Sequence, residues 1–294
     1  MPRPTTWEDY QQRIARVTAH VEQHLDEPCS LEELARIAAF SPCHFHRVFR
    51  AVTGEGVAEY RRRLRLERAA RRLRLTTHPV VDIAVEAGYD AHDSFTRAFE
   101  TVYGLAPSHF RAERGLGHSK GAGAELPKVL GTVERIGPLQ LVFMRHYGPY
   151  EEVGETFNRL TEWVESHGLF GPWTQALGLC HDDPEVVDPE RLRYDAAYSV
   201  GHPVEVAGDV EYRELQARDY LKAVHSGPFS TLGESYAAVI RGYLLHHSRP
   251  LADGEGSLEF YVNSPEGSSA ESLATEICLP LMAVNEAPSQ LKKT

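Results

Sequence analysis

Two arginines stand in matching surroundings 50 positions apart in the chain. Arg47 and Arg97 each lie midway between two phenylalanines, in the segments 45–49 and 95–99. A guanidinium group presents a fork of N–H donors that fits the O6 and N7 acceptors of guanine or the oxygens of a phosphate. These residues therefore suggest contact with nucleic acid, at a base or at the backbone. The alternative for each arginine is an ion pair on a helix surface.

Other polar residues in the same two segments occupy positions that we expect to face solvent. A threonine there can offer its methyl group to thymine. A cysteine could act as a redox sensor, although an inert small residue is the simpler interpretation. The predicted DNA contacts are Cys43, His46, Arg47, His92, Asp93, Thr96 and Arg97.

These candidates belong to a pattern of two short amphipathic helices separated by a tight turn, and the chain contains this pattern twice. The copies are Leu31–Gly54 and Pro79–Arg111, related by an offset of 49 before the turn and 50 after it. In the second copy the apolar positions are Ile83, Ala84 and Ala87, followed by Phe95, Ala98, Phe99 and Val102. The pattern predicts two helix-turn-helix units, whose second helices enter the DNA major groove.

A long helix, Val57–Leu75, is predicted between the two units because this stretch has no Gly or Pro. It spans roughly 27 Å, which suits successive major grooves about 34 Å apart. Eight arginines lie between positions 61 and 74. One interpretation is a solvated face paired with Glu59 and Glu67, with one or two arginines touching phosphate.

Both copies, the joining helix and the closing Gly104-x-x-Pro107-x-x-x-Arg111 resemble the AraC/XylS-type DNA-binding domain over roughly residues 8–114. The resemblance implies an all-α fold of two helix-turn-helix units joined by one long helix. It also implies that the recognition helices dock in successive major grooves of double-stranded DNA.

The second half of the chain contains a different repeat. Residues 146–157, HYGPYEEVGETF, match residues 225–236, HSGPFSTLGESY, at an offset of 79. Each copy reads as a strand, a Gly-Pro turn and a helix, followed by further strands. The predicted elements are strands Leu139–His146, Tyr194–Val200, Tyr220–His225, Leu258–Val262 and Thr275–Leu281, with helices Val153–His167 and Leu232–His246. This pattern predicts an α+β domain made of a duplicated strand-helix-strand-strand module.

A carboxylate and a tyrosine come from two of these strands. Alternate residues of a strand share a face, so Glu276 should point away from Ile277, and Tyr261 away from Phe260. We expect Glu276 and Tyr261 to share one wall of a cleft. A carboxylate beside aromatic rings favours a lipophilic cation through Coulomb attraction and cation–π contact. The alternative is a surface glutamate on an edge strand.

This half resembles the GyrI-like small-molecule-binding domain over about residues 126–285. The resemblance is carried by residues 146–150, by 181–184 with 193–196, by 261–265 and by 275–281. It implies a cleft between two pseudo-symmetric halves that binds organic, often cationic, compounds. The predicted ligand site is Glu276, Tyr261, Tyr147 and Tyr150. Ser264 and Cys278 replace an Asp and an aromatic residue that are more usual in the family.

Composition limits the remaining possibilities. Residues 1–115 hold 17 Arg and 16 Asp plus Glu, a balance of +1, whereas residues 116–294 carry −12 of the total charge of −11. The four cysteines have no C-x-x-C spacing and the fifteen histidines no ligand spacing, so we predict no cofactor, metal or disulfide frame. We expect domains 1–114 and 126–285, a Gly/Ala-rich linker 115–125 and a tail 286–294. The first residues resemble no signal peptide and no apolar run reaches membrane-spanning length, so a cytoplasmic protein is expected.

The features together predict a transcriptional regulator rather than an enzyme. Its expected partners are double-stranded DNA, a small-molecule effector and RNA polymerase, with no membrane. The main alternative is a hydrolase of small electrophiles that uses Glu276 with Tyr261, although no nucleophile–base triad is visible. A ligand-sequestering protein with a vestigial DNA domain is the third.

Overall fold

The computed structural model of the protein describes residues 6–115, 131–246, 249–252, 256–265 and 267–283. The chain divides into two compact units, residues 1–120 and 121–294. The predicted linker beyond Gly115 and the predicted tail lie outside the described residues. Each unit is presented on its own below.

The first unit is helical throughout its described part. Two helix-turn-helix pairs, α2–α3 and α5–α6, flank the long helix α4, with α1 and α7 at the ends. The helices are α1 (Thr6–Gln23), α2 (Leu31–Ile37), α3 (Pro42–Thr53), α4 (Val57–Leu75), α5 (Val80–Glu86), α6 (His92–Tyr103) and α7 (Pro107–Arg114). The prediction of two helix-turn-helix pairs joined by one long helix is confirmed.

Backbone conformation marks the repeat as clearly as the side chains do. Each helix-turn-helix turn contains a left-handed residue, Ala39 at φ 53° in the first and Gly88 at φ 82° in the second. Both recognition helices, α3 and α6, end at a left-handed glycine, Gly54 or Gly104. A glycine there closes the helix without the penalty that a Cβ would carry.

The two copies differ in what covers the recognition helix. In the first, α1 packs on α3 and the core that they share partly buries Val52. In the second copy the preceding helix is α4, which packs on α5, and Val102, which is equivalent to Val52, remains 54% exposed. The prediction that Val102 belongs to the buried face of α6 is therefore wrong.

Most of the α4 arginines bind groups inside the unit. Arg63 pairs with Glu55 and Glu67, Arg68 with Asp26, and Arg72 with Glu86. Arg61 and Arg65 donate to the carbonyl oxygen of Leu25, 3.2 and 2.9 Å away. The expected Glu67 pair is present. Glu59 instead caps the helix, because its carboxylate accepts a hydrogen bond from the Gly56 N–H at 2.8 Å.

The second unit is built on an antiparallel sheet. Its described strands are β1 (Thr132–Ile136), β2 (Leu139–Tyr147), β3 (Ala176–Cys180), β4 (Arg193–Val200), β5 (Glu211–Leu215), β6 (Arg218–Ser226), β7 (Ser257–Tyr261) and β8 (Ala274–Pro280). Among the described residues they form one sheet in the order β1-β6-β8-β7-β3-β4-β2-β5. Helix α8 (Val153–Ser166) follows β2, and helix α9 (Leu232–His246) follows β6.

Strand register confirms the duplicated α+β module. Arg145 of β2 pairs with Asp195 of β4, and Val224 of β6, 79 positions after Arg145, pairs with Glu276 of β8. The segments β2-α8-β3-β4 and β6-α9-β7-β8 are therefore equivalent. In this register Gly178 of β3 corresponds to Glu259 of β7.

Both faces of the central strands are buried. Val142 and Met144 of β2 belong to the core under α8, which also contains Leu160. On the opposite face a second core is formed by residues such as Phe143, Leu177, Leu258, Phe260 and Cys278. A strand buried on both sides shows no simple alternation of apolar and polar residues.

Candidate functional site

Recognition-helix residues define the candidate nucleic-acid interface of the first unit. The exposed ones among the sequence-predicted contacts are Cys43, His46 and Arg47 on α3, and His92, Asp93 and Arg97 on α6. Thr96 is only partly exposed, and its buried hydroxyl oxygen has no hydrogen-bond partner among the described residues. Its hydroxyl is therefore poorly placed to reach a base.

Two further exposed residues on these helices were missed from the sequence. Arg50 follows Arg47 by three positions on α3, and Glu100 follows Arg97 by three positions on α6. Positions three apart are neighbours on a helix surface, so helical spacing alone could have identified them. The two recognition helices consequently differ in charge, because α3 presents two arginines where α6 presents an arginine and a glutamate.

A buried carboxylate lies at the centre of the second unit, on the sheet face covered by α8 and α9. Glu259 of β7 pairs with Gly178 of β3, which in turn pairs with Ala196 of β4. Only 6% of Glu259 is exposed. This sheet face, the candidate floor of the cleft implied by the family resemblance, therefore carries one acidic side chain, with Gly178 and Ala196 on one side and Ile277 on the other.

Tyrosine hydroxyls satisfy this carboxylate. The Tyr236 hydroxyl donates to Glu259 Oε1 at 2.9 Å, and the Tyr261 hydroxyl donates to Oε2 at 3.0 Å. Tyr194 forms a hydrogen bond with Tyr261 through their hydroxyl oxygens. Burial raises the pKa of Tyr194, Tyr236 and Tyr261 well above the usual value, so all three remain protonated at neutral pH.

Gly178 makes room for this network. A Cβ at this position would lie 1.7 Å from the Tyr194 hydroxyl oxygen and 2.2 Å from the ring carbon that carries it. The absent side chain lets the Tyr194 ring lie across β3 and reach Tyr261. This is a close-approach role for the glycine, independent of backbone conformation.

Aromatic rings form the walls above the carboxylate. The ring centroids of Phe157 of α8 and of Phe229 lie 5.6 and 5.5 Å from that of Tyr261. Tyr150 lies 5.5 Å from the Tyr194 ring. Phe229 is 40% exposed, so the aromatic surface extends from the buried carboxylate to solvent.

Cys180 lies on the same floor, beside Ser257. The Tyr236 hydroxyl is 3.0 Å from Ser257 Oγ and 4.0 Å from Cys180 Sγ. Burial, together with the nearby Glu259 charge, raises the pKa of the Cys180 thiol well above its ordinary value. The thiol is thus protonated at neutral pH, and nucleophilic attack needs the thiolate.

Glu276 lies on the other face of the sheet. It pairs with Phe260, whereas Tyr261 pairs with Thr275. Because directly paired residues share a face, Glu276 and Tyr261 point to opposite sides, and the predicted common wall is wrong. The Glu276 carboxylate lies 2.9 Å from Lys222 Nζ, and Cys278 is buried in the core on that side.

Of the two other predicted ligand contacts, Tyr150 lies beside the cleft and Tyr147 does not. Tyr150 occupies a short 3-10 helix, Tyr150–Glu152, and its hydroxyl donates to the carbonyl oxygen of Asp182 at 2.9 Å beside the cleft. Tyr147 is 53% exposed at the end of β2, and strand alternation puts it on the face of Phe143 and Arg145, away from α8. The register therefore removes Tyr147 from the cleft wall.

The described residues contain no cluster of side chains that could bind a metal ion, because no group of three or more His, Cys, Asp or Glu in this part of the chain is arranged to hold one. The helices that the structure describes also include none with the length and apolar composition needed to cross a bilayer.

Family comparisons match both units. Residues 34–113 match a helix-turn-helix domain, and residues 132–282 match the GyrI-like small molecule binding domain. The regulatory protein SoxS of Salmonella typhimurium is 34% identical over 102 residues, which are 35% of this chain and 95% of SoxS. The chain belongs to the AraC/XylS family and carries a GyrI-like domain.

Two other relatives of this AraC/XylS-type chain also match about a third of it. The right origin-binding protein of Escherichia coli K12 is 41% identical over 91 residues, 31% of this chain and 32% of the relative. The chain thus spans about a third of the length of that curated relative. A solved AraC-type transcriptional regulator from Chromobacterium violaceum is 25% identical, covers 35% of this chain and 93% of its own, and has a TM-score of 0.34.

Proposed function

We propose that this AraC/XylS-type chain is a sequence-specific DNA-binding transcriptional regulator whose GyrI-like domain senses a small organic cation. The recognition helices supply the DNA contacts, with Arg47 and Arg97 at equivalent places. Ligand binding shifts the affinity for DNA, or the contact with RNA polymerase, by favouring one of two states. We place the protein in the cytoplasm, where it meets DNA.

The state of Glu259 supports the cationic class of ligand. Within the described residues, the partners of this buried carboxylate are neutral groups, two tyrosine hydroxyls and the Cys180 thiol, and no Arg or Lys forms an ion pair with it. A buried charge is costly without a counter-charge. A cation between the aromatic walls supplies that charge and gains cation–π contact.

The ligand proposal is tested by calorimetric titration with a matched cationic and neutral ligand pair. We expect Glu259→Gln to weaken binding of the cation by about 1.5–3 kcal/mol, the range for hydrogen-bonded charged groups, and to change the neutral analogue much less. Glu276→Gln is the matched control and should bind both ligands like the wild type. Equal losses for both ligands, or a larger loss in the control, would contradict the role of Glu259.

The DNA proposal is tested separately by selecting genomic fragments with the purified full-length protein and sequencing them. A recurring motif is expected among the selected fragments. Arg47→Ala and Arg97→Ala should each weaken binding to that motif by about 1–3 kcal/mol if they contact bases. Enrichment of unrelated sequences only would argue for a protein that sequesters its ligand.

A hydrolase remains the second candidate, because Tyr261 and Glu259 form a hydrogen-bonded pair in an apolar cleft. Two properties disfavour it: the raised pKa of Tyr261 keeps its hydroxyl protonated, and the neighbouring thiol of Cys180 is protonated as well. Hydrolysis of a small electrophile by the wild type, lost in Glu259→Gln, would establish the enzyme instead.

A further inference from the structure

A groove of about 530 Å³ lies beside the first recognition helix, and its walls carry positive charge. Helix α3 supplies His46 and Arg50 on one side. The start of α4 supplies Gly56, Glu59, Arg61 and Arg62 on the other. Three guanidinium groups face one carboxylate, so the groove attracts anions even when His46 is neutral.

Arg50 and Arg62 are the arginines of this groove whose donors are available. Both are exposed, and neither side chain forms a hydrogen bond or ion pair within the described residues. Arg61, by contrast, donates to the carbonyl oxygens of the loop before α2. Glu59 is held at the helix start by the Gly56 N–H. The groove therefore contains two free forks of N–H donors.

The availability of Arg62 is unusual on α4. Its neighbours Arg61, Arg63, Arg65 and Arg68 all bind carboxylates or carbonyl oxygens inside the unit. These contacts consume the donors that could otherwise reach DNA. The sequence predicted that one or two arginines of α4 bind phosphate. Between Arg61 and Arg68, Arg62 is the arginine whose donors are available for this role.

The fold itself does not require these arginines, as the second helix-turn-helix unit demonstrates. At the repeat offset of 50, Glu100 corresponds to Arg50 and Ala112 corresponds to Arg62. Both copies form the same two helices followed by a third. The second copy therefore lacks both of these arginines.

Arg62 also lies near the second copy. Burial raises the pKa of Tyr89, in the second helix-turn-helix turn, and the positive charges of Arg62 and Arg65 oppose that rise. Arg62 therefore lies beside the first recognition helix in the groove and interacts with Tyr89 of the second helix-turn-helix copy. If the two recognition helices enter successive major grooves, the DNA backbone between those grooves passes this position.

We propose that this groove binds backbone phosphate of the DNA segment between the two major grooves, with Arg50 and Arg62 as its ligands. Each guanidinium donates to the non-bridging oxygens of a phosphate in a charge-assisted contact. The proposal rests on the DNA-binding function proposed above and assigns these two arginines to affinity rather than to base reading.

The test measures the affinity of the full-length protein for a selected duplex and for an unrelated 30-base-pair duplex across a salt series. The variants are Arg50→Glu and Arg62→Ala, which introduce the residues found at the equivalent places of the second copy. Each should lower the magnitude of the slope of log K against log salt by about 0.9, the value for one lost phosphate contact, on both duplexes. Arg16→Ala, an exposed arginine on α1 outside the groove, should leave the slope unchanged.

A second measurement locates the contact. Neutral methylphosphonate linkages are placed one at a time in the duplex, and the linkage that weakens the wild type should have no effect on the Arg50→Glu, Arg62→Ala double variant. Unchanged salt slopes in folded variants overturn the groove proposal while leaving sequence-specific binding intact. Slopes that fall on a protein with no preference between the duplexes support the groove and overturn the regulator. A wild type that binds neither duplex overturns both.

Discussion

Asp195 is a fully buried carboxylate on the sheet face opposite α8, and its partners hold it ionised. Arg145 Nε lies 2.6 Å from one carboxylate oxygen and His181 Nε2 lies 2.7 Å from the other, with Arg213 3.5 Å away. Burial alone raises the pKa of Asp195, but the charges and hydrogen bonds of His181 and Arg145 outweigh that effect and hold the pKa well below its usual range.

We expect Asp195→Asn to lower the free energy of unfolding by about 3–5 kcal/mol at pH 7, because it removes a buried negative charge that Arg145 and His181 both bind. A depressed pKa stabilises the fold above the unfolded-state value of about 3.9 and loses that effect as pH falls toward the folded-state value. The difference between wild type and variant should therefore shrink below about pH 4. Urea unfolding at pH 7 and at pH 3.5 measures it.

The control for this prediction is Asp209→Asn, which removes the exposed ion pair of Asp209 with Arg159. A surface pair of this kind contributes at most about 1 kcal/mol. Equal losses in the two variants would mean that Asp195 is not the buried anchor described here.

The sequence did not reveal which carboxylate, Glu259 or Glu276, lies in the cleft. Alternation within β7 places Glu259 and Tyr261 on one face. It could not tell which face of β8 joins them, because that depends on the register in which Phe260 pairs with Glu276. With apolar residues on both faces, the pattern of β8 did not reveal the side covered by the helices.

Helix α5 presents apolar side chains to solvent where α2 presents charged ones. Val81 and Val85 are 52% and 63% exposed, whereas the positions equivalent to them at the offset of 49 are Glu32 and Arg36. Since these valines contribute little burial, we expect Val81→Glu with Val85→Arg to change the free energy of unfolding by no more than about 0.5 kcal/mol per substitution. Thermal melts of the full chain check this. A larger loss would indicate that the two side chains are covered in solution.

At the scale of elements, the long helices and five of the described strands were predicted from the sequence, and the strands β1, β3 and β5 were missed. Helix α4 was bounded correctly at Val57 and Leu75 because it is long and has no breaker. Strand β3, ALGLC, was missed because five small and apolar residues buried on both faces carry no alternation. Its omission mattered, since β3 places Gly178 and Cys180 on the cleft floor. The edge strands β1 and β5 were also missed, being short and rich in charge.

The two units have separate hydrophobic cores, so each contains what it needs to fold. Phe45, Phe49 and Leu64 belong to one core of the first unit, and the sheet of the second has a core on each face. We expect residues 1–120 and residues 121–294, expressed separately, each to unfold in a single cooperative transition. Circular dichroism melts measure this. A fragment 1–120 that melts gradually would contradict it and imply that the second unit is required for its order.

The duplicated sheet gives the cleft a two-fold frame, yet only one of two equivalent positions carries charge: Glu259 in the second repeat, Gly178 in the first. Both repeats supply aromatic rings, Phe157 from the first and Phe229 from the second. If the cleft binds the cation proposed above, this asymmetry fixes the orientation of the ligand. We expect the cationic end to lie toward β7 and the uncharged end toward β4, and a symmetric dication to leave one of its charges unmatched. The duplicated repeats give the cleft its two-fold shape, and the difference between Glu259 and Gly178 makes its two ends electrically unequal.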